Sequence, residues 1–210
     1  WIVTYNRVTN DQPDQRKLVY AKNADDPSAP MLAQLSTSGK NNNRLFSKLG
    51  ENIYSGGLNY SLPLSFLNKT IVKAGVFAQY RERQFDARFL GLTLDELKLS
   101  STEADAIKAR PAGSLFDKDL IDKNYYKLVE GTLPSDSYDA NSTTAAGYLM
   151  LDNKFTDKLR LVWGARVESF NVKLNSYTVS CTPLAIATTW VDVLPSAHLT
   201  YSLTNKMNLS

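Results

Sequence analysis

Between residues 156 and 175 the chain reads TDKLRLVWGARVESFNVKLN, with Leu159, Leu161, Trp163, Ala165 and Val167 alternating against Val162, Gly164, Arg166 and Glu168. Successive side chains of an extended strand project to opposite sides, so this stretch has an apolar face and a charge-bearing face. A soluble antiparallel sheet with one buried face alternates in the same way. Length separates the two cases, because the pattern persists for about the 9–11 residues that a tilted strand needs to cross a bilayer.

The same alternation recurs along the chain. In residues 51–66, Tyr54, Leu58, Tyr60, Leu62 and Leu64 share one side, while Ser55, Gly57, Asn59 and Ser61 share the other. Pro63 lacks a backbone donor and is expected to end or bulge that strand. From Thr70, Val72, Ala74, Val76, Ala78 and Tyr80 alternate with Lys73, Gly75, Gln79, Arg81 and Arg83. Late in the chain Val191, Val193, Ala197, Leu199 and Tyr201 oppose Asp192, Ser196, His198 and Thr200. Residues 143–155 also read as a strand, but both of its sides are apolar and neither can be assigned. The first strand is expected from Trp1 to about Val8, ended by the polar cluster at 10–16, with residues 17–21 as a short return.

The connections predict the rest. Tight turns fall at 67–70, 153–158 and 203–206, and long connections at 9–50, 91–140 and 175–190, in strict alternation. Adjacent hairpins of a meander then place every short turn at one rim and every long loop at the other, an asymmetry of outer-membrane barrels. Thr93–Glu96 and Ser100–Glu103 fit the capping-box pattern, which predicts one or two short helices within 93–110. Pro111, Gly113 and Pro134 break the remainder of that loop. The fold class expected is all-β: an antiparallel meander forming part of a transmembrane β-barrel, with short helices in one long external loop.

Composition narrows the alternatives. The hydrophobic fraction is 43% over 210 residues, with a mean hydropathy of −0.30, and no apolar run approaches the roughly 18 residues of a membrane helix. A barrel escapes that limit because only alternate residues must be apolar. The net charge is +3 and the basic residues are dispersed, which argues against nucleic acid as a partner. The 11 tyrosines suit strands and interfacial girdles. Cys181 is the single cysteine, so no intrachain disulfide exists, and it reads as a small loop side chain. No P-loop, nucleophile elbow or GxGxxG is present, the one histidine has no metal-ligand spacing around it, and Gly56-Gly57 reads as a bend. Neither an enzyme nor a cofactor is expected.

Two stretches, YDANSTTAAGYLMLDNKFTDKLRLVWGARVE and VDVLPSAHLTYSLTNKMNL, resemble the barrel of TonB-dependent outer-membrane receptors of the Bacteroidetes type; RERQFDARFLG and DQPDQRKLVY resemble the preceding strands of those barrels. The resemblance implies a bacterial outer-membrane location and uptake of a bulky nutrient of the iron-chelate, cobalamin or glycan class. It also implies contact with outer-membrane lipid, coupling to the TonB complex and a surface lipoprotein as a further partner. On this view residues 1–210 form a single fragment of the barrel domain, without the plug, the TonB box and the C-terminal strands that complete the family's architecture.

Facing assignments follow. Val72, Val76, Tyr80, Leu161, Trp163, Ala165, Val191 and Val193 are expected to face lipid. Arg81, Arg83, Arg88, Arg166, Glu168, Asp192 and His198 are expected toward the lumen, along the substrate path or against the plug; equally, barrel interiors are polar and such groups pair with one another. Tyr125, Tyr126 and Tyr138 fall in the long loop, where they could contact an external ligand or stand solvated. The competing architecture is a soluble or surface binding module, such as a glycan-binding sandwich, which would bury the same aliphatic stripe between two sheets. A structural or adhesive barrel without TonB coupling is a third.

Overall fold

A computed structural model describes residues 1–26, 28–35, 40–64, 69–95, 97–204 and 207–209. Six long or terminal strands, β1 (Ile2–Leu18), β4 (Asn42–Leu64), β5 (Thr70–Leu94), β7 (Tyr138–Lys154), β8 (Leu159–Tyr177) and β9 (Pro183–Thr204), follow one another as an antiparallel meander, with the short β10 (Met207–Leu209) on β9. The short β6 (Tyr126–Glu130) adds to β5 above β7, giving eight strands in one sheet, and β2 (Tyr20–Ala21) with β3 (Leu32–Ala33) makes a separate small hairpin. Among the described residues β1 pairs only with β4, so the large sheet is open.

The strands run well past the sequence expectation. The polar residues 10–16 belong to β1, whose pairing with β4 continues to Leu18↔Asn42 after a register shift between Gln12 and Gln15. The irregularity absorbs Pro13, which cannot donate to a ladder. Residues 17–21 are therefore not a return strand: Leu18 ends β1, and Tyr20 and Ala21 pair with β3. Pro63 neither ends nor bulges β4, since Pro63↔Ile71 lies in unbroken register. β1 reaches down only to Gly57, so at Pro63 the ladder has one described neighbour, the situation in which a strand tolerates proline. The expected long connection at 175–190 shrinks to a turn at 178–182, closed by Thr178 N donating to Thr182 O at 2.8 Å with Cys181 at φ 61°. Part of the turns at 67–70 and 203–206 lies outside the described residues.

Two long connections remain, and they pack on each other. Ala33 and Leu35 from the first join Leu94, Ala104, Ile107, Leu115 and Leu120 in a buried cluster, with Leu18, Tyr20, Leu99, Phe116, Tyr125 and Tyr126 around it. Helix α1 (Ser101–Lys108) supplies Ala104 and Ile107, and α2 (Lys118–Asp122) supplies Leu120. Cross-links between the connections include Tyr20 Oη donating to Arg110 O at 2.7 Å and Lys40 to Asp136 at 2.9 Å. The capping box at Ser100 forms: Glu103 N donates to Ser100 Oγ at 3.3 Å, and Ser100 N donates to Glu103 at 2.9 Å. The other box does not start a helix, because Thr93 lies within β5; Glu96 lies outside the described residues. The second helix, at 118–122, falls beyond the expected 93–110.

Elsewhere the sheet is a single layer. Leu58, Val76 and Val193 are 55%, 61% and 64% exposed, so among the described residues no second sheet covers the apolar stripe as a sandwich would require. Within the sheet, the β7 backbone lies close against Gly164 of β8, opposite Met150. A Cβ there would meet the Leu149 carbonyl oxygen and stand 2.7 Å from Met150 Cα.

Two expectations follow for the full-length receptor. Gly164→Ala forces the β7–β8 backbones apart and lowers the free energy of unfolding in urea by about 1–3 kcal/mol. Gly147→Ala, whose nearest neighbour would be Gly75 O at 3.9 Å, serves as the silent control. Separately, the Ser100 side chain and backbone hold the Glu103 carboxyl below its ordinary value. A depressed carboxyl stabilises above its unfolded pKa and ceases to as pH falls through its folded value. Amide-exchange protection over 101–108, corrected for the intrinsic exchange rate, should therefore fall as pH drops through the carboxylate range, and Glu103→Gln should remove that dependence.

Candidate functional site: two faces of one sheet

Register decides which side chains share a face. Val72 pairs with Leu62 and Leu151, Leu151 with Trp163, and Trp163 with Ala197; Val76 pairs with Leu58 and Gly147, Gly147 with Val167, and Val167 with Val193. Tyr80, Leu161, Ala165 and Val191 fall on this same apolar side. It is bounded toward the long loops by Tyr5, Tyr54 and Tyr80, adjacent across β1, β4 and β5, and the rings of Tyr5 and Tyr54 are 5.1 Å apart. From Tyr54 to Leu64 the band spans ten residue steps, about 25 Å in height at a strand rise of ~3.4 Å and a tilt of ~40°. Residues 143–155, unassignable from sequence, resolve through pairing: Thr143, Ala145, Gly147, Leu149 and Leu151 join the apolar side, while Thr144, Ala146, Tyr148, Met150 and Asp152 take the other.

The opposite, polar side holds six of the seven titratable residues singled out above, in three separate groups. Nearest the long loops, Glu51, only 5% exposed, binds two guanidinium groups: Arg83 Nε donates to Oε2 at 2.6 Å, and Arg81 Nε lies 3.0 Å from Oε1. The Arg81 contact is ionic in character, since its buried Nε–H is not aligned on an acceptor. About 20 Å further along the strands, Arg166 pairs with Glu168 at 2.9 Å, and Glu168 stands directly opposite Asp192 in the ladder. His198 sits across from Val162 beside the third group, where Arg160 Nη2 meets Asp152 at 2.6 Å.

Arg88 departs from the expectation. Sixteen residues separate it from Val72 in a strand without register shift, and an even separation returns a side chain to the same face. It therefore lies on the side of Tyr80, beyond the apolar band, paired with Glu130 at 2.9 Å. Tyr138 is likewise not a loop residue but the first of β7, on the polar side, its ring 5.6 Å from Phe85. Tyr126 is committed to the loop core: its hydroxyl donates to Leu115 O, and burial pushes its pKa up to about 12.

Sequence inspection missed Glu51 and a second aromatic pair, Phe170 and Trp190, stacked at 5.7 Å. Both were within reach, since two more steps of the Ser55–Gly57 alternation lead to Glu51 and the Glu168 side continues to Phe170. Arg81, Arg83, Tyr138, Ser142, Phe170 and Val172 border a hollow of about 260 Å³ on the polar side. Paired cations beside flat rings suit a ligand that carries negative charge and a planar or ring-shaped surface.

A one-layer meander of long strands, apolar on one side over a bilayer's height and hydrogen-bonded throughout by its own ladders, is the sheet of a transmembrane β-barrel. The family model of the TonB-dependent receptor-like β-barrel matches residues 2–210, and the chain belongs to that family of bacterial outer-membrane receptors and transporters. A comparison with curated proteins returned no match.

The ion-pair cluster makes its own expectation. Glu51→Ala leaves two arginines facing each other without their carboxylate; solvent reaching the arginines limits the loss to about 1–2 kcal/mol. Adding Arg83→Met should recover part of that loss, and strict additivity in a double-mutant cycle in the full-length receptor would count against the pairing.

Proposed function

We propose that this chain forms barrel wall in a TonB-coupled importer of a bulky nutrient of the iron-chelate, cobalamin or glycan class, with its apolar side against lipid and its polar side on the substrate path or the plug. The observation that carries the facing assignment is the uncovered apolar band, a bilayer high and edged by tyrosines at its loop-side limit. On this assignment Val72, Val76, Tyr80, Leu161, Trp163, Ala165, Val191 and Val193 meet lipid. Arg81, Arg83, Arg166, Glu168, Asp192 and His198 line the lumen.

The ordered loop cluster sits on the side of the long connections, which in such barrels is the external one. Its packed core gives the mouth a fixed shape, suited to first contact with a nutrient or to a surface lipoprotein seated over it. The hollow beside Arg81 and Arg83 lies immediately below, where an anionic, ring-bearing cargo would pass. No catalytic step is assigned to the chain; its work is to bind, to guide and to seal.

The facing assignment is tested by two adjacent substitutions in the full-length receptor. Ala165→Arg places a charge at mid-band in hydrocarbon at a cost of about 2–4 kcal/mol and should block appearance of the heat-modifiable folded form. Arg166→Ala, one residue away on the lumen side, should assemble nearly as well as wild type. Equal assembly of both variants would overturn the assignment.

A further inference from the structure

One region of the polar side is not polar. Loopward of Glu168 and Asp192, the next positions of β8 on that side are Phe170, Val172 and Leu174, and those of β9 are Trp190, Thr188 and Ile186. Register sets Phe170 against Trp190 and Leu174 against Ile186. Ile186 and Trp190 are 47% and 49% exposed. A contiguous apolar patch exposed on a wet face marks a place where something binds.

Across β7 the surroundings turn cationic. Pairing runs Arg83–Ala140–Leu174 and Arg81–Ser142–Val172 from β5 through β7 to β8. The small Ala140 and Ser142 therefore floor a trough with arginines along one wall and apolar side chains along the other, two strand spacings or about 10 Å apart. This is the hollow of about 260 Å³, and Tyr138 borders it as well. The two arginines are its only charged borders; Asn141, next to Ser142, projects its side chain to the other face. Glu51 answers one of the two positive charges, and the arginine side chains remain 40% and 38% exposed. The next carboxylates on this side, Glu168 and Asp192, lie below the rings and two and three strands away from the arginines.

We infer that this trough binds an amphiphilic organic anion. Its carboxylate or sulfonate sits against Arg81 and Arg83, and its flat apolar body lies over Ala140 and Ser142 against Phe170, Val172 and Leu174. The anion follows from the unanswered positive charge. The flat body follows from the small floor, the width of the gap and the ring wall. An uncharged glycan fits poorly, because the apolar wall offers it no amide or carboxylate to pair with. The inference rests on the lumen-facing assignment above and narrows the chemistry of what that face meets.

The test uses the full-length receptor in lipid nanodiscs, with saturable binding of two labelled probes, 2-naphthoate and the uncharged 2-naphthylmethanol. Wild type should bind 2-naphthoate about tenfold more tightly, the worth of one charge-assisted hydrogen bond. Arg81→Met keeps the stem, removes the charge and should abolish that preference. Should this variant not reach the heat-modifiable folded form, Arg83→Met removes the other cation with the same expected result. Ala140→Phe raises the floor and should weaken both probes about tenfold. Equal affinity of wild type for the two probes, a preference that survives loss of the arginine, unchanged binding in Ala140→Phe, or no saturable binding at all overturns the inference. Those results would leave the facing assignment standing, because that is judged by Ala165→Arg against Arg166→Ala.

Discussion

In hydrocarbon no water is available to satisfy a backbone N–H or C=O, so a strand that crosses a membrane must find both neighbours' groups along its whole length. That requirement makes register continuous and, with it, parity absolute. Between β4 and β5 the pairing runs from Arg44↔Leu90 to Leu64↔Thr70 without a slip, and between β7 and β8 from Asp139↔Asn175 to Lys154↔Arg160. Once one side chain is placed, every other on the strand is placed too. The two faces diverge in composition because each meets a different medium, and the ladder forbids any residue from choosing its own.

Outside the bilayer the same ladders persist for another reason. β5 continues fourteen residues past Tyr80 to Leu94, beyond the apolar band, where no hydrocarbon imposes alternation. Its upper end is held by β6 on one side and by the loop core above, where Leu94 is 5% exposed. The strands thus serve as stilts for the loop cluster, and the cluster in turn buries apolar side chains that would otherwise leave long connections structureless. Rigid strands and a packed cap hold the mouth in one geometry.

This division explains what was legible in the amino-acid sequence. Within the apolar band a period of two is legible in β4, β5, β8 and β9, as a barrel strand's two different surroundings impose, with Leu161, Trp163 and Ala165 the plainest case; in β7 both sides are apolar and only pairing assigns them. The extensions are less plain: residues 10–16 look like turn material, yet their polarity reflects solvent on both faces, and Pro13 is accommodated at a register shift. The turn at 178–182 was hidden in the same way among polar neighbours. Arg88, five and seven residues from Arg83 and Arg81, takes the opposite face from both, because parity and not closeness in sequence sets the side. β6 and the loop core were invisible for a different reason: Leu35, Leu94 and Leu115 come together from distant segments, and no local pattern encodes that meeting.

Parity also shapes the electrostatics of the polar wall. Within each group ions are matched locally but not completely. Glu51 serves two arginines and leaves the loop-side zone net positive; Arg166 answers Glu168 while Asp192 stands opposite; near the short turns Arg160 pairs with Asp152, and Lys73 shares that side of the sheet. Neighbouring zones lie about 20 Å apart along the strands, roughly two Debye lengths at physiological salt, so each acts on its own surroundings. The arginine pair nearest the long loops and the carboxylates midway along the strands thus present opposite signs of charge to whatever the polar side meets.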